Sequence, residues 1–129
     1  MKMLVDENLP PRLAHSLAAL FKDEHRVEAI ADRFGRGIKD LDWISALAKD
    51  GGWTILTADK RISRNRIERE AFLSNNLVGF VLSPSLRKKP LTEQMARILI
   101  AWPKIVSQAN MVSRGLFELG ERSTKFKSL

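Results

Sequence analysis

Cysteine and tyrosine are both missing from this 129-residue chain. The lack of cysteine excludes a disulfide scaffold, a cysteine-ligated zinc site and a thiol nucleophile. No apolar run approaches the ~20 residues needed to cross a bilayer, and the first residues do not combine a basic segment with an apolar signal core. We therefore expect a soluble, cytoplasmic protein with no membrane partner.

Hydrophobic residues make up 44% of the chain, which is enough for a packed core and excludes disorder. We expect residues 1–129 to form one domain, because the chain is too short for two.

Charge is distributed unevenly along the chain, whose net charge is +7. Residues 1–59 contain ten acids against eight lysines and arginines, whereas residues 60–129 contain five acids against fourteen. A basic surface attracts nucleic acid through Coulomb forces and counterion release. On charge alone, a basic face without a nucleic-acid partner is an equally good interpretation.

Short apolar runs alternate with helical patterns. Strands are predicted at 2–6, 25–30, 53–57 and 77–82, and helices at 13–21, 41–49, 63–73 and from Thr92 onward. Asn8 and Asp40 are predicted N-caps of the first two helices. Residues 31–39 and 84–90 are predicted loops, and residues 110–129 a β-hairpin turning at Gly120 and Glu121. This order is typical of a three-layer α/β/α sandwich with a mainly parallel sheet.

Several acids lie where the strands of such a sheet end. Asp6 ends the first predicted strand, and Asp59 follows the third by two residues. Asp40 and Asp42 begin the second helix, which packs beside that edge. Function in parallel sheets lies at the carboxyl ends of the strands, and crowded carboxylates require a counterion such as Mg²⁺ or Mn²⁺. Taken singly, each acid also has a structural explanation: Asp6 and Asp40 can cap helices, and Asp59 can shape a turn.

Three segments resemble a known family. Residues 4–13 read LVDENLPPRL, residues 40–44 read DLDWI and residues 55–62 read ILTADKRI. Together they resemble the PIN-like domains related to VapC toxins, over most of residues 1–108. The first and last segments are more specific as a pair than either is alone.

The resemblance implies roles for particular residues. Asp6, Asp42 and Asp59 are expected to bind Mg²⁺ or Mn²⁺, and Asn8 is expected to orient the site. Asp40 is the alternative to Asp42, which we prefer because Asp40 already has an expected capping role.

The resemblance also implies a function, that of a metal-dependent endoribonuclease which hydrolyses RNA phosphodiesters as the toxin of a toxin–antitoxin pair. The expected partners are an RNA substrate and a cognate antitoxin protein, and a homodimer stays open. A further acid usual in the family is not evident after Asp59, where Asn65 is a weak substitute. The alternative is therefore a catalytically silent PIN-like module that binds RNA or protein.

Basic residues near the predicted site are expected to bind RNA phosphates. They lie just after the third strand and in the segment 84–90, and they are Lys60, Arg61, Arg64, Arg87, Lys88 and Lys89. A solvated loop and a charged helix face are the structural alternatives for these residues.

Overall fold

The computed structural model describes residues 1–122 and 125–129 and contains a six-stranded sheet with the order β2-β1-β3-β4-β5-β6. The first five strands in this order are parallel to their neighbours, and β6 is antiparallel to β5. In chain order the elements are β1 (Lys2–Val5), α1 (Pro11–Leu20), β2 (Arg26–Ala29), α2 (Ile30–Phe34), α3 (Asp40–Asp50), β3 (Trp53–Thr57), α4 (Arg61–Arg64), α5 (Arg66–Ser74), β4 (Val78–Leu82), α6 (Pro84–Arg87), α7 (Leu91–Met111), β5 (Gly115–Leu119) and β6 (Lys127–Ser128).

Helices cover both faces of the sheet, because alternate residues of the inner strands point to opposite sides. In β1, Met3 and Val5 pack in one core with α1 and α7, whereas Leu4 packs in the other core with α3 and α5. All five residues of both β3 and β4 are buried. The predicted α/β/α sandwich with a mainly parallel sheet is confirmed.

The ends of β1 and β3 lie side by side at one edge of the sheet. Val5 pairs with Leu56, and the backbone N–H of Asp6 donates to the Leu56 carbonyl at 2.9 Å. The strand order reverses here, since β2 lies on one side of β1 and β3 on the other. Ligands of open α/β sheets bind outside the carboxyl ends of the strands at such a reversal.

Both predicted helix caps are wrong. The N-cap of α1 is Pro10, which leaves the Asn8 side chain to bond elsewhere. The N-cap of α3 is Lys39, and Asp40 is the first residue of the helix itself.

Local structure also differs from prediction in three segments. The predicted loop 31–39 begins as helix α2, and the predicted loop 84–90 begins as helix α6. The single helix predicted at 63–73 is divided into α4 and α5 at Asn65. The Asn65 side chain accepts from the backbone N–H groups of Ile67 and Glu68, so a fresh N-cap starts α5 there.

The C-terminal part joins the central sheet. Helix α7 returns the chain so that β5 pairs in parallel with β4, and residues 110 and 111 belong to this helix. Strand β6 then pairs antiparallel with β5, with Glu118 opposite Lys127. The segment between β5 and β6 extends from Gly120 to Phe126 and is longer than the predicted turn at Gly120 and Glu121. Residues 123 and 124 lie outside the described part. Within the described ranges, no helix is both long and apolar enough to span a membrane.

Candidate functional site

Asp6 is a buried carboxylate at the carboxyl end of β1, with 8% of its surface exposed. Its Oδ2 accepts from Thr57 Oγ1 at 2.9 Å, and its Oδ1 accepts from the Glu7 backbone N–H at 2.8 Å. Burial raises the pKa of Asp6 and the charges of Asp40 and Asp59 add to the rise, while these two hydrogen bonds oppose it. Three acids are thus electrostatically linked at the strand ends.

Asn8 connects the segment that follows β1 to the end of β3 through hydrogen bonds. Its Nδ2 donates to Thr57 Oγ1 at 3.1 Å, and its Oδ1 accepts from the Ala58 backbone N–H at 3.0 Å. The Thr57 hydroxyl contacts both Asn8 and Asp6, so it links the two polar side chains that leave β1. These contacts fit the site-orienting role expected for Asn8.

Asp40 and Asp42 differ in their surroundings. Asp40 is half-buried at the start of α3, where its Oδ1 accepts from the indole N–H of Trp43 at 2.9 Å. Its charge raises the pKa of Asp6. Asp42 is exposed on the same helix. The two acids line the same cleft, and Asp40 is the one whose charge is seen to act on Asp6.

Glu68 is a fourth acid that the sequence reasoning missed. Burial raises its pKa, and Asp40 adds to the rise both through its charge and through a hydrogen bond between the two carboxyl groups. Its Oε2 is buried and has no hydrogen-bond partner among the described residues. The signal was present in the sequence, because Asn65 with Glu three residues later is a helix-start pattern that places Glu68 in a first turn. We call Asp6, Asp40, Asp59 and Glu68 the acidic cluster.

Asp59 is held by Arg61. The guanidinium donates to both carboxylate oxygens, with an Nη2 to Oδ2 distance of 2.6 Å and an Nε to Oδ2 distance of 2.8 Å. Partial burial acts to raise the pKa of Asp59, but the hydrogen bonds from Arg61 outweigh it and the net pKa is lowered. Asp59 is therefore ionised at neutral pH and already has a positive partner.

The chemistry of the acidic cluster fits a hard divalent cation. Its members offer carboxylate oxygens, the donors that Mg²⁺ and Mn²⁺ prefer, and Oε2 of Glu68 is a buried oxygen in need of a partner. In their present rotamers, however, no three acidic or histidine side chains within residues 1–122 and 125–129 are close enough together to hold a metal ion. A site that uses three of these carboxylates would thus require side-chain movement, such as release of Asp59 from Arg61.

Two clefts open on the acidic cluster. One of about 390 Å³ lies between the starts of α3 and α5; its lining residues include Asp40, Asp42 and Glu68. The other, of about 250 Å³, lies at the ends of β1 and β2 and includes Asp6 and Arg36 among mostly apolar residues. Asp6, Asp40 and Glu68 are therefore reachable from solvent through open depressions.

Four of the expected phosphate-binding residues form a cluster beside Asp59. Desolvation lowers the pKa of Lys60, and the positive charges of Arg64, Arg87 and Lys88 lower it further. Arg87 also helps to lower the pKa of Asp59, so the positive charge of this group reaches the acidic cluster. We call Lys60, Arg64, Arg87 and Lys88 the basic rim. The other two expected residues are paired, Lys89 with Glu121 at 3.3 Å and Arg61 with Asp59.

Comparison with known proteins places the chain in a family. A family model described as a PIN like domain matches residues 1–84, which contain Asp6, Asp40 and Asp59. No curated protein and no solved structure matches the chain. Because the matched segment covers well over half of the 129 residues, the chain belongs to the PIN-like domain family.

Proposed function

We propose that this protein is a Mg²⁺- or Mn²⁺-dependent endoribonuclease that hydrolyses RNA phosphodiesters. The observation that carries the proposal is the burial of Asp6 at the carboxyl end of β1, next to the strand that leads to Asp59. A carboxylate kept in a desolvated position among other acids costs stability, and such positions are typical of functional sites. PIN-like domains are frequently nucleases.

The acidic cluster supplies the residues that would hold the cation. We assign this role to Asp6, Asp40 and Asp59, with Glu68 completing the set, and Asp42 as the alternative to Asp40. A bound divalent cation would supply positive charge to the scissile phosphate and lower the pKa of the water that attacks it. The chain's own contribution is to fix Asp6 through Thr57.

The residues around the cluster would position the RNA. Asn8 keeps the two strand exits together through Thr57 and Ala58. The basic rim, with Lys89 and Arg61 beside it, offers donors and positive charge to the phosphates that flank the cut. A scissile phosphate held between the rim and the acids would receive a cation from one side and lysine or arginine contacts from the other.

Within this proposal, the protein is the toxin of a toxin–antitoxin pair, as in the VapC-related proteins it resembles. The cognate antitoxin would then cover the acidic cluster or insert a basic side chain into it. Inducible expression in a bacterial host tests this role. Growth arrest by the wild type and normal growth with Asp59→Asn are expected, and normal growth with the wild type would contradict the toxin role.

The direct test is cleavage of single-stranded RNA with Mg²⁺ or Mn²⁺ and with EDTA. We expect cleavage by the wild type that EDTA abolishes and that Asp6→Asn and Asp59→Asn both lose. Asp23→Asn is the matched control, because it removes one carboxylate from an exposed position just before β2. This position lies at the amino ends of the strands, opposite the carboxyl ends where Asp6 lies. Equal activity in all four proteins would identify a contaminating nuclease and overturn the proposal.

The second candidate is a catalytically silent PIN-like module that binds RNA or protein. The Asp59 contact with Arg61 favours it, because both oxygens of a carboxylate needed for the cation are engaged. A filter-binding measurement separates the two candidates. A silent module binds RNA without cleaving it at any Mg²⁺ or Mn²⁺ concentration, and its affinity is indifferent to Asp6→Asn.

A further inference from the structure

Arg61 saturates the carboxylate of Asp59 through two kinds of donor. Its backbone N–H donates to Oδ1 at 2.9 Å, and its guanidinium donates to Oδ1 from Nε at 3.1 Å and to Oδ2 from Nε at 2.8 Å and Nη2 at 2.6 Å. A carboxylate has about four lone-pair sites, and three N–H groups of Arg61 make four contacts with them, because the Nε–H is shared between the two oxygens. Every oxygen of Asp59 is therefore already occupied.

The contact is local and reversible. Asp59 and Arg61 are separated by one residue, and Arg61 follows Lys60, the N-cap of α4. The Arg61 side chain is 75% exposed, so little packing holds it in this rotamer. An exposed ion pair contributes modestly to stability, and a divalent cation with several oxygen ligands can displace it.

Arg61 also faces the rest of the acidic cluster. Its pKa is raised first by its hydrogen bond to Asp59 and by the charge of that residue, with smaller contributions from Asp40 and Glu68. A guanidinium at this position partly offsets the mutual repulsion of the acids. Of the basic rim, Arg87 acts on Asp59 through its charge, whereas Arg61 binds Asp59 through direct hydrogen bonds.

We propose that Arg61 is a positioning residue that competes with the divalent cation for Asp59 and thereby sets the cation concentration at which the site is loaded. The inference rests on the proposed metal-dependent function and deepens it. With a cation bound, Asp59 would lose its hydrogen bonds to the guanidinium and Arg61 would turn to solvent. A substitution that removes the Arg61 guanidinium therefore increases the affinity of the site for the cation.

The test is the Mn²⁺ affinity of the wild type and three variants, measured by electron paramagnetic resonance of free Mn²⁺ in the absence of RNA. Arg61→Ala removes the competitor, and we expect affinity to rise about tenfold, the scale of one charge-assisted hydrogen-bonded contact. Arg61→Lys keeps the positive charge but loses the two-pronged geometry, and a rise of at least about threefold is expected.

Arg66→Ala is the matched control, because Arg66 is an exposed arginine at the start of α5 that pairs with Glu70 rather than with Asp59. Its Mn²⁺ affinity should stay within about twofold of the wild type, since only long-range charge is lost. An equal rise in Arg66→Ala and Arg61→Ala would show a general charge effect and overturn the inference. Circular dichroism confirms that the exposed substitutions leave the fold unchanged.

A second readout does not depend on any variant. The Arg61 Nε–Hε resonance in ¹⁵N nuclear magnetic resonance should shift and exchange faster with water when Mg²⁺ is added, because its bond to Asp59 is broken. An unchanged resonance at saturating Mg²⁺, or an Arg61→Ala affinity equal to or below that of the wild type, overturns the inference while the metal site survives. If the wild type and all variants fail to bind Mn²⁺, the proposed metal-dependent function itself is wrong.

Discussion

The hydroxyl of Thr57 donates to Oδ2 of Asp6 across the boundary between β3 and β1, at 2.9 Å. Thr57 is fully buried and Asp6 nearly so, which makes this a charge-assisted hydrogen bond in a low-dielectric position. The bond fixes the Asp6 rotamer and leaves the carboxylate facing the other acids. The raised pKa of Asp6 shows that its two hydrogen bonds do not fully offset the effect of burial.

Asp6→Asn should stabilise the protein and abolish cleavage. The folded-state pKa of Asp6 is raised, so its contribution to stability is fully present below the unfolded pKa and is lost as the pH rises through the folded pKa. Asp6→Asn has no carboxyl group whose ionisation lowers stability. Its free energy of unfolding in urea should therefore exceed that of the wild type, by an amount that grows from pH 3 toward pH 7. Cleavage should fall by at least about 100-fold.

Asp59→Asn gives the opposite pH dependence and serves as the comparison. The pKa of Asp59 is lowered, so its contribution is present above the unfolded pKa and is lost as the pH falls through the folded pKa. Asp59→Asn should be less stable than the wild type near pH 7, and the difference should vanish in acid. If both substitutions change the free energy of unfolding near pH 7 in the same direction, the described environments of Asp6 and Asp59 are wrong.

Asp40→Asn and Asp42→Asn should separate the two acids of α3. The Asp40 substitution keeps an oxygen for the Trp43 indole but removes the charge that acts on Asp6 and Glu68. We expect at least about a tenfold fall in kcat/KM from Asp40→Asn, by analogy with lost site-supporting groups, and less than about a twofold change from Asp42→Asn. Cleavage kinetics at saturating Mg²⁺ measure this, and the reverse ranking would make Asp42 the site residue.

Glu68→Gln should lower activity without lowering stability. The amide can donate to the Asp40 carboxylate, so a contact that requires a proton between two acids becomes an ordinary hydrogen bond. We expect kcat/KM to fall about tenfold and the melting temperature at pH 7 to stay equal or rise. Glu70→Gln is the matched control on α5, because Glu70 pairs with Arg66 away from the acids, and its activity should match the wild type.

Asn8→Ala should destabilise the protein and weaken cleavage together. The substitution leaves the Ala58 N–H without its acceptor, and the loss should be about 1 kcal/mol, the scale of one hydrogen bond. A double-mutant cycle with Thr57→Val checks the link. The two substitutions should be non-additive by at least about 0.5 kcal/mol in urea unfolding, as expected for residues in direct contact.

Substitutions in the basic rim should reduce RNA affinity in a salt-dependent way. Each of Lys60→Ala, Arg64→Ala and Arg87→Ala should reduce the slope of log Kd against log salt by about 0.7, the value for one lost phosphate contact with a single strand. Lys89→Ala should reduce it less, because Lys89 is paired with Glu121. Fluorescence anisotropy in EDTA measures binding without cleavage. Slopes that match the wild type in every rim variant would place the RNA elsewhere.

Strand positions and the acids that follow them could be predicted from the sequence. The apolar run before Asp6 and the β-branched run before Asp59 each become a buried strand of a parallel sheet, and neighbouring strands of that kind end at one edge. Strand β6 pairs antiparallel with β5, as in the predicted hairpin. The local pattern leaves open what lies on the other side of strand β5. Its parallel pairing with β4 depends on the direction in which the 21-residue α7 returns the chain, which local pattern does not specify.

The linear order of residues by itself determined that this chain forms a parallel α/β sheet with Asp6 and Asp59 at its carboxyl edge, because burial forces apolar runs into strands and leaves polar residues at their ends. The tertiary structure alone decided that the charge of Asp40 acts on Asp6 and Glu68, and that Arg61 holds Asp59. The reason is rotational. Asp40 and Asp42, two positions apart on α3, differ by about 200° in direction, and the packing of the helix against the sheet sets how near each carboxylate comes to the strand ends.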